Sequence, residues 1–77
     1  MNAVIVYTKP RCVQCEATKR ALERAGVKYQ VINVNNDSAA LTTLLTLGYQ
    51  QVPVVVASEE RWSGFRPELI SNLRVHA

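Results

Sequence analysis

The chain has 77 residues, 48% of them hydrophobic and 19% charged, which suits one small globular domain spanning residues 1–77 and excludes a disordered tail protein. The formal net charge is +3, but the basic residues are interleaved with acidic ones (Lys19, Arg20 and Arg24 beside Glu16 and Glu23), which argues against a nucleic-acid stripe. No basic segment leading into an apolar stretch of roughly 7–15 residues is seen, and no apolar run approaches the ~20 residues of a membrane span, so a soluble, cytoplasmic monomer is expected.

Ala3-Val4-Ile5-Val6-Tyr7 is a continuous apolar run rich in β-branched residues, the pattern of a central strand covered on both faces. Thr8 to Arg11 form the loop after it, with Pro10 ending the ladder. A helix is expected over about Gln14 to Ala25, with Cys15, Thr18, Leu22 and Ala25 on one inward stripe and Glu16, Lys19, Arg20, Glu23 and Arg24 outside. Gly26 ends it. Lys28 to Val34 alternates and reads as a second strand. Asn35 to Ser38 make a turn with an N-cap, and a second helix follows, with Leu41, Leu44, Leu45 and Leu47 inward and Gly48 closing it.

Val52 to Ala57 is the third strand, with Pro53 confined to its end or to an edge. Ser58 to Glu60 turn the chain, Arg61-Trp62-Ser63 is a short fourth strand, and Pro67 opens a third helix with Leu69, Ile70 and Leu73 inward. The order β-α-β-α-β-β-α requires a parallel pair from the first crossover and an antiparallel pair from the last turn. The expected fold is α/β: a four-stranded mixed sheet flanked by three helices, with helices on both faces.

Cys12 and Cys15 are the only cysteines, separated by Val13 and Gln14 at the seam between the first strand and the first helix. In a reducing compartment such a pair is redox-active or metal-binding before it is structural, and a bridge closing so few residues removes little entropy from the unfolded chain. Cys12, at the helix start, faces unpaired backbone N–H groups and the positive end of the helix dipole, which favour a thiolate. It is the attacking thiol. Cys15, one turn inside, is the buried resolving thiol that releases a mixed disulfide. Lys9 and Arg11 add weak, solvated positive charge. A zinc site needs about four ligands, and beyond the two cysteines only His76 remains, so a metal or iron–sulfur cluster would need a second chain. No cofactor or metal is expected for one chain, and His76 reads as a tail residue.

With Cys12-Val13-Gln14-Cys15 at the first strand–helix turn, the chain resembles the thioredoxin/glutaredoxin-like fold. Together with Trp62-Ser63-Gly64-Phe65-Arg66-Pro67, it resembles the NrdH-redoxin family over nearly its whole length. That resemblance implies a small disulfide reductase that takes electrons from NADPH through thioredoxin reductase and passes them to the large subunit of class Ib ribonucleotide reductase. It implies a cis Pro53 beside the dithiol, with the backbone of Val52 open to a partner's extended segment. It also implies a partner-docking corner at Trp62, Ser63, Gly64, Phe65 and Arg66, in which Phe65 and Arg66 are the better anchors. Trp62 doubles as a core aromatic, Arg66 as a loop tether, and Tyr7 either flanks the dithiol or fills space. The chain lacks the Trp-Cys-Gly-Pro-Cys of typical thioredoxins, the Cys-Pro-Tyr-Cys of typical glutaredoxins, and any carboxylate in the first strand to relay a proton from Cys15. A glutathione-dependent glutaredoxin and a dimeric metal- or cluster-binding module are the alternatives.

Overall fold

The computed structural model describes residues 4–58 and 60–73. It contains β1 (Ile5–Thr8), α1 (Val13–Arg24), β2 (Gln30–Asn33), α2 (Ser38–Thr46), β3 (Val54–Val56), β4 (Arg61–Ser63) and α3 (Pro67–Leu73), the expected order. The sheet runs β2-β1-β3-β4. β1 pairs in parallel with β2 (Val6 opposite Val31) and antiparallel with β3 (Val6 opposite Val55), and β3 pairs antiparallel with β4 (Val55 opposite Trp62). The two inner strands are therefore the two that the sequence makes continuously apolar.

Alternation along these strands divides the core in two. Val6, Val55 and Trp62 face one side and pack with Leu22 of α1 and Ile70 and Leu73 of α3. Tyr7 and Val54 face the other and pack with Val34 and with Ala40 and Leu44 of α2. Both helix ends predicted at glycines are Schellman closures. The Val27 N–H reaches the Leu22 carbonyl at 3.0 Å and the Gly26 N–H that of Glu23 at 3.1 Å. Tyr49 and Gly48 do the same to Leu44 and Leu45, at 2.9 and 3.0 Å. Asp37 is the N-cap of α2, its carboxylate accepting the Ala40 N–H at 2.9 Å.

Several expectations are corrected. Thr8, read as loop, is the last residue of β1, pairs with Asn33 and is buried. β2 is shorter than Lys28–Val34 and does not alternate cleanly, because it is an edge strand with Val31 exposed. β3 begins only at Val54, after Pro53. In α2 the inward stripe is Ala40 and Leu44, whereas Leu41 and Leu45 are 41% and 57% exposed. Ala40 and Leu44 pack with Tyr7, Val34 and Val54, which leaves Leu41 and Leu45 at the rim. Ala3, Glu59 of the predicted turn and His76 lie outside the described residues.

Candidate functional site

Cys12 is the N-cap of α1: its backbone is extended, and its carbonyl accepts the Glu16 N–H at 3.1 Å. Its sulfur does what a capping oxygen does elsewhere, accepting the Cys15 N–H at 3.0 Å. The residue before it, Arg11, has φ 62°, an uncommon conformation for a side chain of this size. That left-handed step swings the chain from the loop into the helix and leaves Cys12 half-exposed at the helix tip. Cys15 lies on the inward stripe of α1 and has no exposed surface. The two cysteines are joined as a disulfide with Cα atoms 5.2 Å apart, within the usual range for such bonds. The structure is thus the oxidised form of a dithiol whose outer cysteine is half-exposed and whose inner cysteine is buried.

Two distant segments close around this pair. The Val52–Pro53 peptide bond is cis, Pro53 is fully buried, and the Val52 carbonyl oxygen lies 4.0 Å from Cys12 Sγ. The bonded sulfur has no proton, so this is a contact; in the reduced thiol the same oxygen is a ready acceptor. The Pro53 carbonyl in turn accepts the Gly64 N–H at 2.8 Å, which ties the loop after β4 to the segment leading into β3. Gly64 has φ +83°, a conformation that disfavours any side chain. A methyl group there would meet Gln14 Oε1 at an ordinary 3.7 Å, so backbone conformation rather than space calls for glycine. Gln14 is the residue of this ring that sequence reasoning missed; a long polar side chain between the two cysteines was its only signal.

The remaining docking candidates differ in exposure. Trp62 is only 5% exposed and belongs to the core packed by α1 and α3, so its indole is structural. Tyr7 is likewise buried, filling space against α2. Ser63, Phe65 and Arg66 are exposed, Phe65 at 38%. Arg66 Nε donates to Glu68 Oε2 at 2.7 Å, and its carbonyl accepts the N–H groups of Leu69 and Ile70 at 3.1 and 3.2 Å, so it does tether the start of α3. The backbone N–H of Glu68 and the Arg66 guanidinium together hold the Glu68 carboxyl below its ordinary value. Leu41 and Leu45 wall a shallow groove that runs past Lys9, Tyr49 and Gln51 to Val52, the residue whose carbonyl approaches Cys12.

Among the described residues no group of three or more His, Cys, Asp or Glu side chains could hold a metal ion. Nor is any helix among them long and apolar enough to cross a membrane. The arrangement suits thiol–disulfide exchange: an outer sulfur that accepts a backbone N–H, and a second, buried sulfur bonded to it.

The glutaredoxin family model matches residues 4–62. The glutaredoxin-like protein NrdH of Salmonella typhimurium is 45% identical over 71 residues, covering 92% of this chain and 88% of that protein. Its namesake in Escherichia coli is 46% identical over 70 residues, covering 91% and 86%. The solved structure of NrdH-redoxin from Escherichia coli, described as glutaredoxin-like with a thioredoxin-like activity profile, superposes with a TM-score of 0.90 at 45% identity, covering 92% of this chain and 93% of that one. With the predicted strand order, the dithiol at its seam and relatives of this closeness over nearly the whole length, the chain belongs to the NrdH-redoxins, glutaredoxin-like redox proteins of the thioredoxin fold.

Proposed function

We propose that this protein is a cytoplasmic disulfide reductase that carries electron pairs from NADPH and thioredoxin reductase to the large subunit of class Ib ribonucleotide reductase. The observation that carries the reading is the capping bond from the Cys15 N–H to Cys12 Sγ, which favours the half-exposed residue as the anion and leaves the buried one in reserve. Cys12 thiolate attacks one sulfur of the substrate disulfide. A Cys12–substrate bond forms, the substrate S–S bond breaks, and the departing thiolate takes a proton. Cys15 then attacks Cys12 Sγ, and the Cys12–Cys15 bond forms as the second substrate thiol leaves. Two electrons and two protons have passed to the substrate, and the chain is left in the oxidised form described above. Thioredoxin reductase returns it to the dithiol with two electrons from NADPH.

Val52 and Pro53 supply the backbone edge along which a substrate segment pairs. Ser63, Gly64, Phe65 and Arg66 form the corner that meets the partner, with Trp62 holding that corner from beneath. The test is the electron source. The oxidised protein is mixed with NADPH and thioredoxin reductase, and separately with glutathione, glutathione reductase and NADPH. Rapid turnover with the former supports the proposal; turnover confined to glutathione overturns it in favour of a glutaredoxin. Cys15→Ser is expected to accumulate covalent complexes with the substrate protein, and Cys12→Ser to be inert. Activity surviving in the latter would reverse the two roles.

A further inference from the structure

The inward stripe of α1 carries one residue out of keeping with its surroundings. Thr18 has no exposed surface, and its hydroxyl has no hydrogen-bond partner among the described residues. A buried hydroxyl in a helix ordinarily donates to the carbonyl four residues back. Thr43 of α2, though exposed, does so to Ala39 at 3.0 Å. Thr18 does not, and valine, of nearly the same shape, would fill the site without leaving an unpaired polar atom.

Its position suggests what the hydroxyl is for. Thr18 is three residues after Cys15 on the same buried stripe, so the two are neighbours on one helix face. Helical side chains lean toward the N-terminus, which aims Thr18 at the turn that carries Cys15. In the disulfide the Cys15 sulfur is bonded to Cys12 and held toward the helix tip. On reduction that bond is gone, and the side chain is free to settle in another staggered well.

We propose that Thr18 is a positioning residue for Cys15: its hydroxyl is unpaired in the disulfide and becomes the hydrogen-bond partner of the Cys15 sulfur in the dithiol. In the thiol form the S–H donates to Thr18 Oγ1. In the thiolate form the Thr18 O–H donates to the sulfur and favours the anion. Resting on the dithiol reading above, this supplies a local aid for ionising the resolving thiol in a chain with no carboxylate in its first strand. During resolution the Cys15 sulfur bonds to Cys12, the Cys12–substrate bond breaks, and the proton that left Cys15 ends on the departing thiol. Thr18 gains and loses no proton. Because it is satisfied only in the reduced state, the hydroxyl also favours reduction of the disulfide.

The test compares Thr18→Val and Thr18→Ser with the wild type, with Thr18→Ala as a second hydroxyl-free variant should valine fail to fold. In a dithiothreitol redox buffer, the equilibrium of Thr18→Val is expected to shift about tenfold toward the disulfide, which for a two-electron couple is roughly 30 mV. Thr18→Ser should stay near the wild type. Thermal stability of the oxidised form should rise in Thr18→Val, and that of the reduced form should not. Release of a mixed disulfide formed on Cys12 should need higher pH in Thr18→Val, while alkylation of Cys12 keeps its pH profile. An unchanged redox equilibrium in both Thr18→Val and Thr18→Ala would overturn the proposal, as would equal stability gains in both redox states. These equilibria are read on the protein alone, so they stand apart from whether wild type accepts electrons from thioredoxin reductase.

Discussion

In the Cys15→Ser protein a single thiol remains, and its acidity can be anticipated from the dipoles around it. The backbone N–H of residue 15 points its positive end at Cys12 Sγ from 3.0 Å, whereas the Val52 carbonyl presents its negative end from 4.0 Å. The nearer dipole prevails, and the positive end of α1 adds to it. A hydrogen bond to a charged group contributes roughly 1.5–3 kcal/mol, and each 1.36 kcal/mol is about tenfold in acidity. Discounting for the opposing carbonyl and for partial exposure leaves a thiol about tenfold more acidic than an ordinary one. At neutral pH an ordinary thiol is a few per cent ionised, so the thiolate population rises about eightfold. Each thiolate is also a weaker nucleophile, by about threefold for a Brønsted slope of 0.4–0.5. The net gain in rate is only about threefold.

A single rate at neutral pH is therefore a poor measure, and the midpoint of the pH–rate profile is the one to read. Alkylation of Cys15→Ser by iodoacetamide across pH, with the same protein in guanidinium as its own reference, should show the folded midpoint displaced to lower pH by about tenfold in proton concentration. Adding Lys9→Gln or Arg11→Gln should change it much less, because both cations are exposed and their interaction with the sulfur is screened. A folded midpoint equal to the denatured one, or above it, would mean that the capping bond does not stabilise the anion. The assignment of Cys12 as the attacking sulfur would then fail.

Leu44→Ala should cost about 2–5 kcal/mol in urea denaturation, while Leu45→Ala, on the exposed rim, should stay within about 0.5 kcal/mol; the opposite order would reverse the orientation of α2. Gly64→Ala should destabilise by about 1–2 kcal/mol because of its left-handed backbone, with Gly64→Asn milder, and equal stability would show that the loop can relax. The Tyr29 hydroxyl, pushed up to about 12 by burial and by its hydrogen bond to Glu23, favours the folded state while protonated. That contribution is complete below the ordinary tyrosine value of about 10 and is lost as pH rises toward 12. The urea midpoint should therefore fall over this range more in wild type than in Tyr29→Phe, and parallel curves would refute the coupling.

How much of this was legible in the sequence depended on how unambiguous each residue's chemistry is. Two cysteines at a strand–helix seam, glycines at both helix ends and Pro67 at the start of α3 each admit few structures, and their elements appeared where expected. α2 is the counter-example. Leu41, Leu44, Leu45 and Leu47, with Ala39 and Ala40, cover so much of the helix that stripes through either Ala40 or Leu41 satisfy the same 3.6-residue period. The choice was made by which face of the helix meets Tyr7, Val34 and Val54, which no local pattern records. Thr18 was legible as a stripe residue, yet its unpaired hydroxyl is a property of packing that appears only in three dimensions.

The site is held mainly by backbone. Cys12 Sγ is fixed by the Cys15 N–H and approached by the Val52 carbonyl; Pro53 passes the link to Gly64 through its own carbonyl; and Gly64 returns beside Gln14. In that circuit side-chain identity is constrained at the cysteines, Pro53 and Gly64. The side chains at Val13, Ser63, Phe65 and Arg66, exposed around the same circuit, are spared that task. A scaffold built this way can keep its sulfur chemistry fixed while the exposed residues around it change. Substitutions at Phe65 should therefore alter the Michaelis constant for a protein partner and leave the Cys12 alkylation profile where it was. A Phe65→Ala protein whose Cys12 profile moved would show that the proposed docking corner and the sulfur are not separable.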